Sequence, residues 1–478
     1  MTYAPYKKLM LILTAFIMLA GQAWALDLPV KRIKGKQYYY HKVKKGESLY
    51  GVSKHLGISI DEILESNPEA ANGIGKGDIL VFPFERYTVL AKDSIDSEPT
   101  AEAAEDTIAE ATPRRASIAI LLPFGLHASE PTRTNALALD FYKGALIAAD
   151  SLSKTPGHIE IISRDIDGLT PQAVRDMITS DTLLNTASVI IGPEDAAALT
   201  AIAETAPEGT YVLNVLNTRD SLYLSDSNIL QANVPQRQMY RLAVDALMHD
   251  YDGYRPVILH NAAGRNDREA FTAYLKERYR RQGTEPIVIE YQTNLISADM
   301  EALPVAAGEK YVVIPSDGSV SEFNRFSHVL RSFRDRVRTQ AEEDGSGAAI
   351  EVFGYPDWTA FRGEAQDMLH RLGATVYSRF FDDFNGFSAK TIEENFRHWY
   401  GTSMITSIPT SGVLGFDTMN YLIKNIRQHQ GVYSPKSVLP YSGIQSTFDF
   451  VRSGEGYVNN SIYIITYLAG GRLSARVQ

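Results

Sequence analysis

The sequence predicts an α/β protein, in which a small βααβ unit precedes a large two-lobed domain with parallel sheets. From residue 116 onward, short apolar runs alternate with helical segments. Strands that alternate with helices of about 10–15 residues are typical of parallel sheets with right-handed crossovers. The alternation runs through two successive series, which predicts two lobes. A separate pattern of two short strands around two helices precedes both series.

The composition limits the function classes. With 478 residues, 44% of them hydrophobic and 22% charged, the chain has the composition of a globular protein of more than one domain. A formal net charge of −10 gives no support to general nucleic-acid binding. The chain has no cysteine, so disulfides, thiol catalysis and cysteine–zinc sites are excluded.

The N-terminus has the pattern of a secretory signal peptide. Lys7 and Lys8 precede an apolar run, 9–20, and an Ala-Trp-Ala motif ending at Ala25 has the form that signal peptidase accepts. This run is shorter than the roughly 20 residues of a membrane-spanning helix, although an uncleaved anchor is the alternative. We expect segment 1–25 to be removed, and no later segment to span a membrane. The mature chain would lie in the periplasm or cell envelope, and its charge of −10 would become −12 without the two lysines.

The βααβ unit lies at 38–84. A short alternating strand, 40–43, leads to a helix that Ser48 can cap, and a second helix ends before Pro68. Glycines then form a turn, and an apolar run at 79–82 forms the closing strand.

This unit closely resembles the LysM domain. The matching positions are Val43, 46–49, 57–58, Asn67 and 77–80. The resemblance implies binding to glycans that contain N-acetylglucosamine, which in a bacterium is most often peptidoglycan. A domain that keeps only the fold is the alternative. The resemblance assigns glycan binding to Gly46, Glu47, Ser48, Leu49, Asn67, Pro68 and Ile74.

An acidic linker, 87–114, separates this unit from the large domain, 115–478. It is rich in Ala, Glu, Asp, Ser, Thr and Pro, so it cannot bury enough apolar surface to fold alone. In the large domain, the predicted strands are the apolar runs 117–122, 159–163, 187–191, 211–216, 256–259, 286–291, 310–314 and 350–354. In the first of them every residue after Ser117 is apolar, as expected of a strand covered on both faces.

Several motifs characterise the two series. They are 118–124 (IAILLPF), Gly144-Ala145, 189–193 (VIIGP), 352–358 (VFGYPDW) and 415–422 (GFDTMNYL). Together they resemble the type I periplasmic binding protein fold, the class of branched-chain amino-acid and amide receptors. The resemblance implies that the chain crosses repeatedly between lobes. Lobe one would comprise about 116–232 and 350–430, and lobe two about 233–349 and 431–478.

The predicted site is the cleft between the lobes, because open parallel sheets bind ligands at the carboxyl ends of their strands. The side chains expected to line it are Phe124, Glu194, Asp195, Asn214, Asn217, Asn261, Asp267, Ser316, Tyr355 and Asp357. Strand-end loops are polar in any α/β protein, however, so a purely structural role is the alternative for each residue.

The resemblance also narrows the class of ligand that the cleft is expected to bind. Amino-acid receptors of this class usually hold the ligand carboxylate with Ser or Thr after the Gly-Pro turn and after the next strand. Here those positions carry Glu194, Asp195, Asn214 and Asn217. Because two acids would repel a carboxylate, we expect a neutral or cationic ligand, or a cleft repurposed for a protein partner.

The sequence does not predict an enzyme. It contains no GxSxG, HExxH, P-loop or strand-following GxGxxG motif, and its histidines show no metal spacing. We therefore expect no cofactor and no metal, although carboxylate-only glycan hydrolysis remains open. Aromatic residues between 377 and 400 could stack on sugars or a partner, but their spacing of three and four favours a buried face.

Two functions remain. The first is a secreted, non-catalytic peptidoglycan-binding protein whose receptor-like domain binds a small solute in the cleft. The second is a cell-wall scaffold or regulator whose receptor-like domain docks a peptidoglycan-synthesis or remodelling protein. Some activators of peptidoglycan synthases carry a similar receptor-like domain.

Overall fold

The computed structural model describes the chain in segments. These are residues 30–33, 36–43, 52, 63–64, 67, 70, 74, 78–83, 116–153, 158–217, 221–303, 305, 308–381, 387–435 and 441–478. The chain divides into two compact units, Met1–Ala109 and Glu110–Gln478. The predicted signal peptide and the predicted linker lie outside the described residues.

In its described part, the first unit contains a three-stranded antiparallel sheet. The strands are β1 (Val30–Ile33), β2 (Lys36–Lys42) and β3 (Ile79–Pro83), in the order β1-β2-β3. The first and last strands of the βααβ unit were predicted, and they pair antiparallel, with Tyr40 opposite Val81. β1 was not predicted, because its sequence is basic; charged side chains are tolerated on an edge strand.

The second unit alternates strands and helices, as predicted. Its strands are β4 (Ser117–Leu122), β5 (Glu160–Asp165), β6 (Val189–Ile191), β7 (Tyr211–Asn214), β8 (Ile229–Gln231), β9 (Arg255–Asn261), β10 (Ile287–Tyr291), β11 (Lys310–Pro315), β12 (Ala349–Gly354), β13 (Thr375–Ser378), β14 (Tyr441–Ser442), β15 (Thr447–Phe448), β16 (Phe450–Ser453), β17 (Gly456–Asn459), β18 (Tyr463–Leu468) and β19 (Arg472–Val477).

Helices connect most of these strands. They are α1 (Arg133–Leu152), α2 (Pro171–Ser180), α3 (Ala196–Thr205), α4 (Gln236–Asp250), α5 (Glu269–Arg281), α6 (Ser297–Met300), α7 (Val320–Asp344), α8 (Glu364–Leu372), α9 (Phe387–Tyr400) and α10 (Ser411–Gln428). Several begin where the sequence offers a cap; the Thr170 side chain accepts the backbone N–H of Ala173, and Pro171 is the first residue of α2.

Each lobe is built on a seven-stranded sheet. The order in lobe one is β5-β4-β6-β7-β8-β17-β16, and the order in lobe two is β10-β9-β11-β12-β13-β18-β19. The strands β4 to β8 and β9 to β13 pair in parallel, whereas β16, β18 and β19 add antiparallel edges. The predicted α/β class, with two lobes and parallel-rich sheets, is confirmed.

The chain passes between the lobes after β8, after β13 and after β17. The predicted lobe boundaries therefore need correction. Strands β12 and β13 lie in lobe two, although 350–430 was assigned to lobe one, and β16 and β17 lie in lobe one, although 431–478 was assigned to lobe two. The reason is that an alternating pattern gives the sequence of elements but does not specify which sheet edge a strand joins.

Candidate functional site

A cavity of about 720 Å³ opens at the carboxyl ends of the lobe-one strands. From β4 the chain places β5 on one side and β6 on the other, and ligands of open parallel sheets bind at such a switch point. Much of the wall is apolar, and it includes Leu137, Phe141, Leu169, Val215, Ile408 and Leu414. This space is called the lobe-one cavity below.

The charged side chains that line the lobe-one cavity in the described part of the chain are the carboxylates of Asp167, Glu194 and Asp195. Asp195 caps α3, since its Oδ1 accepts the backbone N–H of Ala198 at 2.8 Å. Asp167 accepts a hydrogen bond from Nδ2 of Asn135 at 2.9 Å. Within the described ranges, none of the three carboxylates has a Lys or Arg ion-pair partner. The cavity is therefore strongly acidic.

Another carboxylate, Asp165 at the end of β5, holds the loop that follows β4. It accepts the backbone N–H groups of Phe124 at 2.8 Å and Leu126 at 2.7 Å. Burial alone would raise the pKa of Asp165, but hydrogen bonds from the backbone hold this pKa below its usual value. Asp165 is therefore ionised at neutral pH and adds to the negative charge near the cavity.

A second cavity, of about 490 Å³, lies on the lobe-two side and is called the lobe-two cavity below. Its lining includes Tyr240, Arg268, Asp357, Thr359, Tyr377 and Arg379. Ile408, which is 55% exposed, lines both cavities. The two cavities thus meet at one side chain.

Two arginines give the lobe-two cavity its cationic character. Arg268 Nη2 lies 2.5 Å from Asp357 Oδ2, and its guanidinium lies over the Tyr355 ring, 5.3 Å from the centroid. Arg379 donates from Nε to the backbone oxygen of Val234 at 2.6 Å. Burial lowers the pKa of Arg379, and no carboxylate of the described segments forms an ion pair with it.

Side-chain amides hold the segments that cross between the lobes. Asn459 Nδ2 donates to the backbone oxygens of Ala232 at 3.0 Å and Thr447 at 2.6 Å. Gln231 Nε2 donates to the backbone oxygen of Asn233 at 3.0 Å. Both residues are buried. The Asn459 bond to Ala232 ties the crossing after β17 to the crossing after β8, and the Gln231 bond holds the backbone within the crossing after β8.

Asp417, on α10, fixes the neighbouring loop. This fully buried carboxylate accepts the backbone N–H groups of Ile444, Gln445 and Ser446 at 2.8, 2.8 and 2.9 Å. Burial raises the pKa of Asp417 to about 6. The Gln445 side chain in turn bonds both backbone groups of Thr410, at 3.1 and 2.9 Å. This chain of bonds reaches the segment 407–411, which borders the lobe-one cavity.

The structure brings only part of the predicted cleft set to the cavities. Glu194 and Asp195 line the lobe-one cavity, and Asp357 lines the lobe-two cavity. The remaining predicted residues line neither of them: Phe124, Asn214, Asn217, Asn261, Asp267, Ser316 and Tyr355.

Those remaining residues hold strand ends and loops in place. Asn214 Nδ2 donates to Gln231 Oε1 at 2.7 Å, and the hydroxyl of Tyr355 donates to the backbone oxygen of Pro315 at 2.6 Å. The others act in the same way: Phe124 packs on Tyr142, Asn217 bonds the backbone of Glu194, Asn261 bonds Glu322, Asp267 accepts from Gly318, and Ser316 bonds Asn266. The sequence could not show that these side chains bond or pack within their own lobe, and that Asn214, Asn261, Ser316 and Tyr355 are buried.

Other cavity residues were missed by the sequence reasoning. Asp167 follows β5 by two residues, so the strand-end rule could have found it. Arg379 directly follows β13, a short strand that was not predicted. Ile408 lies between helices α9 and α10, and no local signal in the sequence identifies it.

In the first unit, Asn67 is placed to hold the fold. This buried side chain donates from Nδ2 to the backbone oxygens of Ile63 at 2.7 Å and Val81 at 2.9 Å. Its Oδ1 accepts the backbone N–H of Val81 at 2.7 Å, so it ties the preceding helical residues to β3. Ile74 is half-buried. The other residues assigned to glycan binding lie outside the described residues: Gly46, Glu47, Ser48, Leu49 and Pro68.

A family profile matches the part of the first unit that contains paired strands and the hydrogen bonds of Asn67. The profile described as "LysM domain" matches residues 41–81. Residues 41–81 are a LysM domain. No described residue of the LysM domain tests the glycan-binding assignment, which stays a prediction. A search of curated proteins finds none that matches the chain in sequence.

Solved structures match the two-lobed unit. One is the substrate-binding protein LivJ of a branched-chain amino acid transporter from Streptococcus pneumoniae, in complex with isoleucine: 14% identity, 76% of this chain and 99% of that chain, TM-score 0.34. Another is the leucine binding protein LivK from Thermotoga maritima, which is 14% identical. The match covers 76% of this chain and 98% of that chain, with a TM-score of 0.34. Full-length LpoA from Haemophilus influenzae also matches, with 13% identity. The match covers 76% of this chain and 59% of that chain, with a TM-score of 0.43. At these identities and TM-scores, the strand order and lobe crossings of the chain itself define its fold.

Two features are absent from the described residues. No helix among them is both long and apolar enough to cross a membrane. Nor do these residues contain a group of three or more His, Asp or Glu side chains that could hold a metal ion.

Proposed function

We propose that this protein is a non-catalytic receptor held on peptidoglycan in the periplasm or cell envelope. The LysM domain would bind glycans containing N-acetylglucosamine, and the two-lobed unit would bind a small solute in the cleft. A signal peptide at 1–25 and an acidic linker at 87–114 are parts of this proposal, since a tethered receptor needs export and reach.

The lobe-one cavity carries the proposal. Its volume of about 720 Å³ falls within the range of roughly 300–1,000 Å³ that small-molecule sites occupy. An apolar wall with a few converging carboxylates is the usual make-up of such a site, because apolar contacts supply affinity and polar groups fix orientation. The cavity wall includes residues of the segments that cross between the lobes. Rotation of the lobes about these segments can therefore close the cleft.

Two measurements on the full chain test this proposal. Thermal unfolding in the presence of amino acids, amides, muropeptides and small organic cations should show a raised midpoint with at least one class, because a ligand of the folded state stabilises it. Co-sedimentation with purified peptidoglycan should fall in Gly46→Ala and Ser48→Ala and stay unchanged in Lys42→Gln, a charge-removing control outside the assigned residues. A midpoint unmoved by every class would contradict the solute receptor, and loss of sedimentation in none of the variants would contradict the glycan assignment.

One surface feature favours the alternative function, docking of a cell-wall synthesis or remodelling protein. Trp399 is 60% exposed, next to a hollow of about 210 Å³ lined by Leu146, Ile147, Asp150 and Tyr400. Exposed tryptophans in shallow hollows often anchor protein interfaces. If this function is correct, cross-linking in cells should capture a peptidoglycan synthase, Trp399→Ala should abolish the capture, and no solute should stabilise the chain.

A further inference from the structure

The cleft is electrically polarised, with acids on one lobe and a cation without a carboxylate partner on the other. On lobe one, Asp167, Glu194 and Asp195 face the cavity, and the described segments supply no Lys or Arg to neutralise them. On lobe two, Arg379 faces the cavity without an acid partner in the described part of the chain.

Of the two charged regions, the one at Arg379 is the stronger evidence for a binding site. Its guanidinium is partly buried, and its Nε bond to the backbone oxygen of Val234 fixes the direction of the side chain. Burial of a charge without an opposite charge is costly, so such a group in a cleft wall is typical of a site that awaits an anion. The neighbouring Arg268 differs, because Asp357 already pairs with it.

The surface between the two charged regions is apolar. Phe380 lines the lobe-one cavity while its neighbour Arg379 lines the lobe-two cavity, and Ile408 lines both. A ligand that reaches from the acids to Arg379 must therefore pass apolar side chains. A free amino acid carries its ammonium and carboxylate on one carbon, so it cannot separate them across this surface.

We propose that the cleft binds a short apolar peptide with free termini, its ammonium group against the lobe-one carboxylates and its terminal carboxylate against Arg379. This rests on the proposed receptor function and adds the ligand class. A carboxylate and a guanidinium form paired, charge-assisted hydrogen bonds, and an ammonium group donates to several carboxylate oxygens at once. The ligand itself would join the lobes electrostatically and so favour the closed form.

Calorimetry on the full chain tests the proposed orientation of the bound peptide, and it uses peptide probes in addition to mutations. The probes are the tripeptide Leu-Ala-Leu, its N-acetyl form, its C-terminal amide, and free leucine. We expect the free tripeptide to bind and each blocked form to bind about ten- to a hundredfold more weakly, because each loses one charge-assisted interaction. Free leucine should also bind more weakly than the tripeptide.

Variants locate the two ends. Arg379→Gln should weaken the free tripeptide but leave the affinity for the C-terminal amide unchanged, and Glu194→Gln should do the same for the N-acetyl form. Arg371→Gln and Glu208→Gln, which remove exposed charges elsewhere, should change neither. Arg379→Lys, which keeps the positive charge, should retain part of the binding and guards against misfolding of the Gln variant.

The outcomes separate this inference from the function on which it rests. Equal affinity for free and blocked peptides, or tight binding of free leucine, would overturn the polarity. If other solutes bind and no peptide does, the peptide inference is wrong and the receptor function stands. If neither peptides nor other solutes bind, both are wrong.

Discussion

Asp417 combines complete burial with three backbone hydrogen bonds, and its protonation links the stability of the domain to pH. Burial raises its pKa to about 6 from an ordinary value of 3.8, so the folded state binds the proton more tightly than the unfolded state. The resulting stabilisation is fully present below pH 3.8 and is lost as the pH rises through about 6. Burial lowers the pKa of the nearby Lys424, and the charge of Asp417 acts on that pKa in the opposite direction.

We predict that Asp417→Asn removes this pH dependence. The free energy of unfolding of the native protein, minus that of the variant, should be about 1–3 kcal/mol larger at pH 4 than at pH 7. Urea unfolding followed by the fluorescence of buried Trp358 measures it, and Glu208→Gln, an exposed acid, is the control. The same difference at both pH values would show that Asp417 does not titrate in this window.

Individual residues of the cleft also show what the sequence could and could not predict. Glu194 and Asp195 were predicted because they lie in the loop that follows the predicted strand 187–191. Asn214 and Asn261 satisfied the same rule, yet each side chain turns inward to pair with a buried group on its own lobe, Gln231 and Glu322 respectively. The direction of a side chain depends on partners distant in sequence, which local patterns do not contain.

At the level of elements, lobe one depends on a close crossing of α1 and α10. A Cβ atom on Gly415 would lie 1.9 Å from the backbone oxygen of Phe141, and one on Gly144 would lie 1.8 Å from the backbone oxygen of Gly412. Only hydrogen fits at these two positions. The crossing places the start of α10, including Ser411 and Leu414, at the wall of the lobe-one cavity.

Gly415→Ala should therefore be strongly destabilising, by about 3 kcal/mol or more, because backbone must move. Gly412→Ala is the graded comparison: its nearest side-chain neighbour is Sδ of Met404 at 2.8 Å, the end of a flexible side chain, so about 1 kcal/mol is expected. Chemical unfolding of both variants measures the difference. Equal losses would mean that the helices separate freely.

The elements themselves were largely predictable, whereas their membership of a lobe was not. Continuous apolar runs such as β4 and β11 identified the parallel strands, and Pro171 with Thr170 identified the start of α2. The strand β13 has only four residues and lies directly after α8, so no periodicity separated it from its surroundings. The assignment of 350–430 to lobe one followed the resemblance, and β12 and β13 pair in the lobe-two sheet instead.

On the scale of the whole molecule, the chain combines a LysM domain with a two-lobed unit. The LysM match supports retention on the wall, and the lobe-one cavity supports capture of a solute. The buried Asn459 amide ties the crossing after β17 to the crossing after β8, so we expect closure of the lobes to turn about these segments.

Native mass spectrometry of the full chain, purified gently from the cells that make it, tests whether the cleft holds a solute. We predict a small molecule bound to the native protein, absent from Ile408→Trp, which fills the junction of the cavities. It should be retained in Val432→Trp, a control that adds similar bulk at another exposed position, where Val432 is 65% exposed. A bare native chain that no solute stabilises, or an adduct that persists in Ile408→Trp, would contradict the cleft receptor.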